Sequence, residues 1–195
     1  MDRADALKIL DQYIGKPSLQ KHMLSVEAAM RFYADIFGED IESWGIVGLL
    51  HDFDYEIHSD LTRHPQDGAP LLRQAGVPEE YIQAVLSHAD HCGIPRDSLL
   101  RKTLYACDEL TGLITAVVLV RPSRSILDLT VSSVKKKWKD LSFAAGADRE
   151  QIARGARELE IDLWEHVDNV IDAMKVVASE LGLSGEIQSM GEMIP

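Results

Sequence analysis

Seven histidines and one isolated aspartate carry the chemistry that this sequence offers. His22 lies inside an apolar-periodic stretch, and His51 is followed directly by Asp52 after Gly45 to Leu50, six residues without charge. His64 precedes Pro65, His88 and His91 are three residues apart, and His58 and His166 stand alone. Asp108 lies in the largely apolar stretch from Leu104 to Val120. A carboxylate buried in such a stretch costs several kcal/mol unless a cation or hydrogen-bond donors satisfy it. A metal ion would serve, and a mixed nitrogen and oxygen ligand set suits Mn, Fe, Co, Ni or Zn, or Mg where oxygens dominate. A lone histidine more often has a structural or surface role, and that reading holds for His58 and His166.

These residues must be positioned by helices. Leu19, Met23, Val26, Met30 and Tyr33 recur at helical steps between about Ser18 and Phe37, and Gly38 ends the run. A short apolar helix is expected over Ile41 to Leu50. Pro65 suits the first turn of a helix ending near Gly76, and Pro78-Glu79-Glu80 opens another that ends near Gly93. That second helix would put His88 and His91 on one face. Ser98 is a good N-cap for a long helix to Val120, halted by Pro122. Asp148 caps a further helix to about Leu159, and Ile161 to Leu181 reads as a long amphipathic one, able to pack on the core or to form a homodimer face. The segment from Leu183 onward is expected to be loosely held. No sustained alternation of period two appears, so the expected fold class is all-α.

The order His22, His51-Asp52, His64, His88, Asp108 resembles the HD superfamily of metal-dependent phosphohydrolases, in particular its small single-domain bacterial members such as the HD-type diadenosine tetraphosphate hydrolases. The resemblance spans about residues 18 to 121. It implies an HD-like helical bundle over residues 1–121, with residues 122–195 as a C-terminal helical extension packed on the same domain. It also implies one metal held by His22, His51, Asp52 and Asp108, and a second ion for which His64 and His88 match the ligand positions, with Asp52 shared. The activity implied is hydrolysis of a phosphoric ester or anhydride in a small, nucleotide-like molecule by a metal-activated water, with Asp52 orienting the ions. His91, Asp90 or Glu109 would protonate the leaving oxygen. His91 is also open to a ligand or supporting role. Two other readings compete: an HD-type di-iron oxygenase, and a non-catalytic metal- or nucleotide-binding module.

One departure matters. Many family members read His-Asp-Ile-Gly-Lys, whereas this chain reads His51-Asp52-Phe53-Asp54-Tyr55, so the lysine that approaches substrate phosphate is missing. Residues 121–139 carry Arg121, Arg124, Lys135, Lys136, Lys137 and Lys139 against one acid, Asp128. This is a local excess of cations in a chain whose formal net charge is −12. Arg121, Arg124, Lys135, Lys137 and Lys139 are therefore expected to meet a substrate phosphate, with Arg96, Arg101 and Lys102 as rivals.

The 195-residue length fits one domain with a small appendage. The acidic balance argues against general nucleic-acid binding and against binding to an anionic membrane surface. Cys92 and Cys107 form no Cys-x-x-Cys pair, and the start of the chain has no apolar signal segment, so a cytoplasmic location is expected. The longest apolar stretch, Leu113 to Val120, is far below the roughly 20 residues of a spanning helix.

Overall fold

The computed structural model describes residues 1–60 and 62–185. The regular elements among the described residues are all helices, with no strand and one isolated bridge between Ser125 and Ser184. No helix among them is long and apolar enough to cross a membrane.

The centre of the fold is α2 (Pro17–Phe37), which packs against α3 (Ile41–Leu50), α6 (Leu99–Leu119) and α9 (Leu163–Val176). Helix α2 buries Met23, Val26, Met30 and Tyr33, the periodic face expected from sequence, and ends on Gly38 in the left-handed region at φ 70°. Asp40 caps α3 by accepting from the Glu42 and Ser43 amides. Every residue of α3 from Trp44 to Leu50 is buried, and burial continues through His51, Asp52, Phe53 and Asp54. From Trp44 onward the helix carries no polar side chain and has no solvent face, so this part can only lie inside the bundle. It therefore delivers the His-Asp pair at its C-terminal end into the interior.

Helix α1 (Arg3–Tyr13) covers α3, and α5 (Glu79–Ser87) packs on α3 and α6. The chain beyond residue 121 folds back onto the same core. Helix α8 (Arg149–Glu158) lies along α6, and α7 (Val131–Trp138) and α9 pack together and on α6. Gly155 permits the close approach of α8, since a Cβ there would lie 2.5 Å from Ala106 Cα.

The structure corrects four boundaries. The helix expected from Pro65 is only α4 (Ala69–Gln74), with Pro70 in its first turn, and residues 62–68 form turns that carry His64 inward. Helix α5 stops at Ser87, so His88 is its C-cap and His91 belongs to a separate 3₁₀ turn, Asp90–Cys92; the two histidines share no helix face. Ile161 to Leu181 is divided into α9 and the short α10 (Ala178–Leu181). The apolar face of α9, including Val167, Val170, Ile171 and Met174, is buried on the chain's own core, so it is not available as a homodimer surface. Leu183 is held rather than loose: it is buried, and its carbonyl accepts from the Ile126 amide at 2.7 Å. Residues 186–195, the rest of the expected loose segment, lie outside the described residues.

Candidate metal centre

Five segments bring six side chains together. His22 comes from the second turn of α2, His51 and Asp52 from the end of α3, and Asp108 from the middle of α6. His64 comes from the turns before α4, and His88 from the cap of α5. His22, His51, Asp52 and Asp108 each present an atom within 4.8 Å of the others, and Asp52, His64 and His88 form a second such group. Asp52 belongs to both. Its Oδ2 faces His51 Nε2 at 3.5 Å and His22 Nε2 at 3.7 Å. Its Oδ1 faces His64 Nε2 at 3.0 Å and His88 Nε2 at 3.5 Å. Asp108 Oδ1 completes the first group, 3.1 Å from His22 Nε2 and 3.5 Å from His51 Nε2.

The other nitrogen of each imidazole fixes its orientation. His51 Nδ1 donates to Gly48 O at 2.8 Å, and His88 Nδ1 donates to Val85 O at 2.6 Å. A carbonyl can only accept, so Nδ1 carries the hydrogen in both rings. His64 Nδ1 donates to Asp54 Oδ1 at 2.8 Å, and His22 Nδ1 lies 3.3 Å from Thr111 Oγ1, whose hydroxyl donates to Asp108 O. In each neutral imidazole this leaves Nε2 bare and aimed inward.

The consequence is a concentration of acceptors. His22 Nε2 and His51 Nε2 are 3.2 Å apart, His64 Nε2 and His88 Nε2 are 3.3 Å apart, and two carboxylates stand among them. Protons relieve part of this repulsion. Burial opposes charge on His51, but Asp52 and Asp108 overcome it and push the ring up to about 9. Burial likewise opposes charge on His64, and Asp52 and Asp54 push it up to about 9. His88, by contrast, is pushed down by burial. A divalent cation satisfies bare nitrogens and carboxylates together, so the donor set fits one or two metal ions of the kind that take imidazole and carboxylate.

Asp54 was missed by the sequence reading, which noted only the lysine absent from that stretch. Its carboxyl group is fully buried, orients His64 through Nδ1, and packs against Gly68, where a Cβ would come within 2.5 Å of Asp54 Oδ2. A carboxylate behind a metal-facing histidine sets its tautomer and strengthens it as a donor. The available signal was a second acid two residues after Asp52 in an otherwise apolar stretch.

A pocket of about 440 Å³ opens over the cluster. His22, Asp52, His64, His88 and Asp108 form its floor, and His91, Asp90, Glu109 and Tyr55 line its walls. Glu109 accepts from the Asp148 amide at 3.3 Å, and burial, aided by Asp108, pushes its carboxyl up to about 7. His91 Nε2 lies 2.9 Å from Gln66 Oε1. Asp90 is engaged by Arg96 at 2.8 Å and Arg154 at 2.6 Å, which hold it below the usual carboxylate range against the effect of burial.

Arg121, Arg124, Lys135, Lys137 and Lys139 are absent from the lining of this pocket. Arg121 is turned into its own loop, donating to Asp128 Oδ1 at 2.7 Å and to Ser125 O at 2.9 Å. Lys135 lies over the Trp164 ring and Lys137 over the Phe143 ring. Lys139 lines a separate surface hollow with Lys136 and Trp138. Among the rivals, Arg96 bonds Glu158 as well as Asp90, Arg101 bonds Asp97, and Lys102 lines another hollow. Only Arg124 comes near the site, in the wall of an adjoining cavity. His166 is a core residue: its Nε2 donates to Ala106 O at 3.0 Å, and its Nδ1 accepts from Tyr33 Oη at 2.6 Å.

Comparison with protein families matches residues 19–113 to the HD domain. No curated protein and no solved structure gave a match. The matched segment runs from the first helix of the cluster to the helix that carries Asp108, and so contains all six converging side chains. Residues 19–113 of this chain are an HD domain, consistent with the HD superfamily of metal-dependent phosphohydrolases.

Proposed function

We propose that the protein is a metal-dependent phosphohydrolase acting on a small phosphorylated, nucleotide-like molecule. The observation that supports this most strongly is the placement of Asp52. Its two oxygens face two separate groups of inward-aimed imidazole nitrogens at the floor of one open pocket. His22, His51, Asp52 and Asp108 would hold one ion, and His64, His88 and Asp52 a second. When bound, the metal supplies Lewis acidity, making water a better nucleophile near neutral pH and neutralising charge on phosphoryl oxygens.

The chain's own residues do the rest. The bonds from Gly48 O, Val85 O, Asp54 and Thr111 hold the rings in place before substrate arrives, so binding requires little reorganisation. The pocket walls admit the phosphoryl group to the floor. As water oxygen bonds to phosphorus and the bond to the leaving oxygen breaks, that oxygen needs a proton. Glu109 and His91, both on the pocket wall, are the groups that would give it. Asp90 is not assigned this role because two arginines hold it.

A ligand set of imidazoles and carboxylates with one shared carboxylate also suits an iron pair, which keeps the di-iron oxygenase as the second reading. One experiment separates them: a panel of phosphorylated metabolites assayed under Mn, Fe, Co, Ni, Zn and Mg, with oxygen uptake followed in parallel. Phosphate release without oxygen uptake is expected. Oxygen uptake by an iron-loaded protein that releases no phosphate from any member would overturn the proposal.

A further inference from the structure

The chain that follows the metal-facing His88 is the short 3₁₀ turn Asp90–Cys92, and Ala89, Asp90 and His91 all line the metal pocket. A turn of this kind makes few and poorly shaped backbone bonds. Here they run from Cys92 N to Ala89 O and from Gly93 N to Asp90 O, both at 3.1 Å. None of its three residues is buried, and of the three only Cys92 packs against the apolar core. Polar side chains hold the turn instead, in two clamps.

The first clamp is Gln66, from the turns that carry His64. Its amide nitrogen donates to Thr62 O, which leaves Oε1 to accept from His91 Nε2 at 2.9 Å and from Cys92 Sγ at 3.2 Å. His91 Nε2 therefore carries a hydrogen, and Nδ1 is the ring nitrogen without a partner among the described residues.

The second clamp is a pair of arginines. Asp90 Oδ1 accepts from Arg96 Nη1 at 2.8 Å, and Asp90 Oδ2 accepts from Arg154 Nη2 at 2.6 Å. Both guanidinium groups lie over the buried Tyr105 ring, 3.7 and 5.1 Å from its centroid. Arg96 is fixed in turn: its Nε and Nη2 donate to the two oxygens of Glu158 at 2.8 and 3.0 Å, and its Nη1 reaches Ser87 O at 3.4 Å. Tyr105 stands on α6 one turn before Asp108, whereas Arg154 and Glu158 stand one turn apart on α8, outside the HD domain. Helix α8 thus grips the pocket turn from beyond that domain, through planar, multidentate contacts.

We propose that Arg96 and Arg154 are positioning residues, which hold Asp90 and thereby set the turn so that His91 can give its proton to the leaving oxygen. Of the side chains that this turn presents to the pocket, Asp90 is engaged and Ala89 is inert, so His91 is the one that the clamps serve to place. Its ring, protonated on both nitrogens before the step, becomes neutral as the bond from phosphorus to the leaving oxygen breaks. The proton lost by the attacking water restores the balance. This rests on the phosphohydrolase reading, and within it assigns the proton donor to His91 rather than Glu109.

The test compares 4-nitrophenyl phosphate, whose leaving group departs unaided, with phenyl phosphate, whose more basic leaving oxygen needs a proton. The full metal-loaded chain is used. Arg154 is the residue to change, because it is 41% exposed and Arg96 also serves Glu158. Arg154→Met should lower kcat for phenyl phosphate by about 10–100-fold, the cost of a misplaced group. KM, metal content and kcat for 4-nitrophenyl phosphate should stay near the native values, and Arg154→Lys should recover part of the loss. His91→Gln should show the same leaving-group pattern, and adding Arg154→Met to it should cost nothing further. Equal losses with both esters, or additive losses in the double variant, would overturn the proposal. A second readout needs no turnover: in the isotope-labelled, Zn-loaded chain, Arg154→Met should shift the ring signals of His91 and leave those of His22 in place. That shift, with no phosphate release by the native chain under any metal of the panel, would uphold the clamp and remove the phosphohydrolase reading. Unmoved His91 signals with phosphate release from both esters would do the reverse.

Discussion

Asp52 and Asp54 stand two residues apart and do different things. Asp52 faces the pocket with both oxygens, whereas Asp54 turns away from it, holding His64 by its outer nitrogen. Removing the charge of Asp54 should therefore loosen metal at the His64 and His88 side without removing a ligand. Asp54→Asn is predicted to weaken metal affinity by roughly 10–100-fold, the usual effect of losing such a supporting partner. Metal titration calorimetry checks this, and unchanged affinity would show that Asp54 merely fills space. Of the six converging residues, Asp108 and the His51-Asp52 pair stood out because an acid in an apolar helix and a His-Asp pair after an uncharged run are unusual, whereas His22, His64 and His88 were singled out only by the resemblance to the HD superfamily. Asp54 and Thr111 were not, since their role depends on which ring nitrogen they meet, which no one-dimensional spacing shows. The basic run misled for a related reason: six cations at 121–139 gave a charge, but Arg121, Lys135 and Lys137 are engaged by Asp128, Trp164 and Phe143.

Helices α6 and α8 determine whether the chain beyond residue 121 supports the site. Gly155 sets their separation, and a methyl group there would meet the α6 backbone at Ala106. Gly155→Ala is predicted to lower stability by about 1–2 kcal/mol, overpacking outweighing the gain in helix propensity. Urea unfolding measures this, and an unchanged or higher midpoint would contradict the close packing. Helix α9 reaches the same region through His166, wedged between Tyr33 and Ala106 O. Burial pushes His166 down to about 4, whereas an unfolded histidine titrates near 6.5. Above pH 6.5 both states are neutral and the group has no effect. As pH falls from 6.5 towards 4, the unfolded chain takes up a proton that the folded chain refuses, so stability declines. The loss attributable to His166 should be roughly 2–3 kcal/mol by pH 4.5. His166→Gln should flatten this pH dependence of the unfolding midpoint, and an identical slope in the variant would refute it. Most helices were readable from period and caps. No helix was expected over α1 or α7, and Ile161 to Leu181 proved to be two helices. The remaining exceptions, α4 and the end of α5, are where His64 and His88 enter the cluster, held by the bond from His64 to Asp54 and by the local bond from His88 to the Val85 carbonyl.

Across the whole molecule, the chain carries a formal charge of −12, yet its acids and cations are divided by place. Asp52 and Asp108 lie inward among four imidazoles at the floor of one pocket, and Lys21 and Arg124 border the cavity beside it. The overall acidity therefore does not conflict with the proposed phosphorylated substrate, because a metal held there would neutralise the acids that such a substrate would meet. The central claim is that the convergence on Asp52 holds the metal that hydrolysis requires. Its most direct test is metal content per chain, measured with phosphate release, in the native protein and in Asp52→Ala after stripping and reloading with Mn. The native chain should regain one or two ions together with activity, and Asp52→Ala should regain neither; phosphate release by a metal-free Asp52→Ala protein would contradict the account.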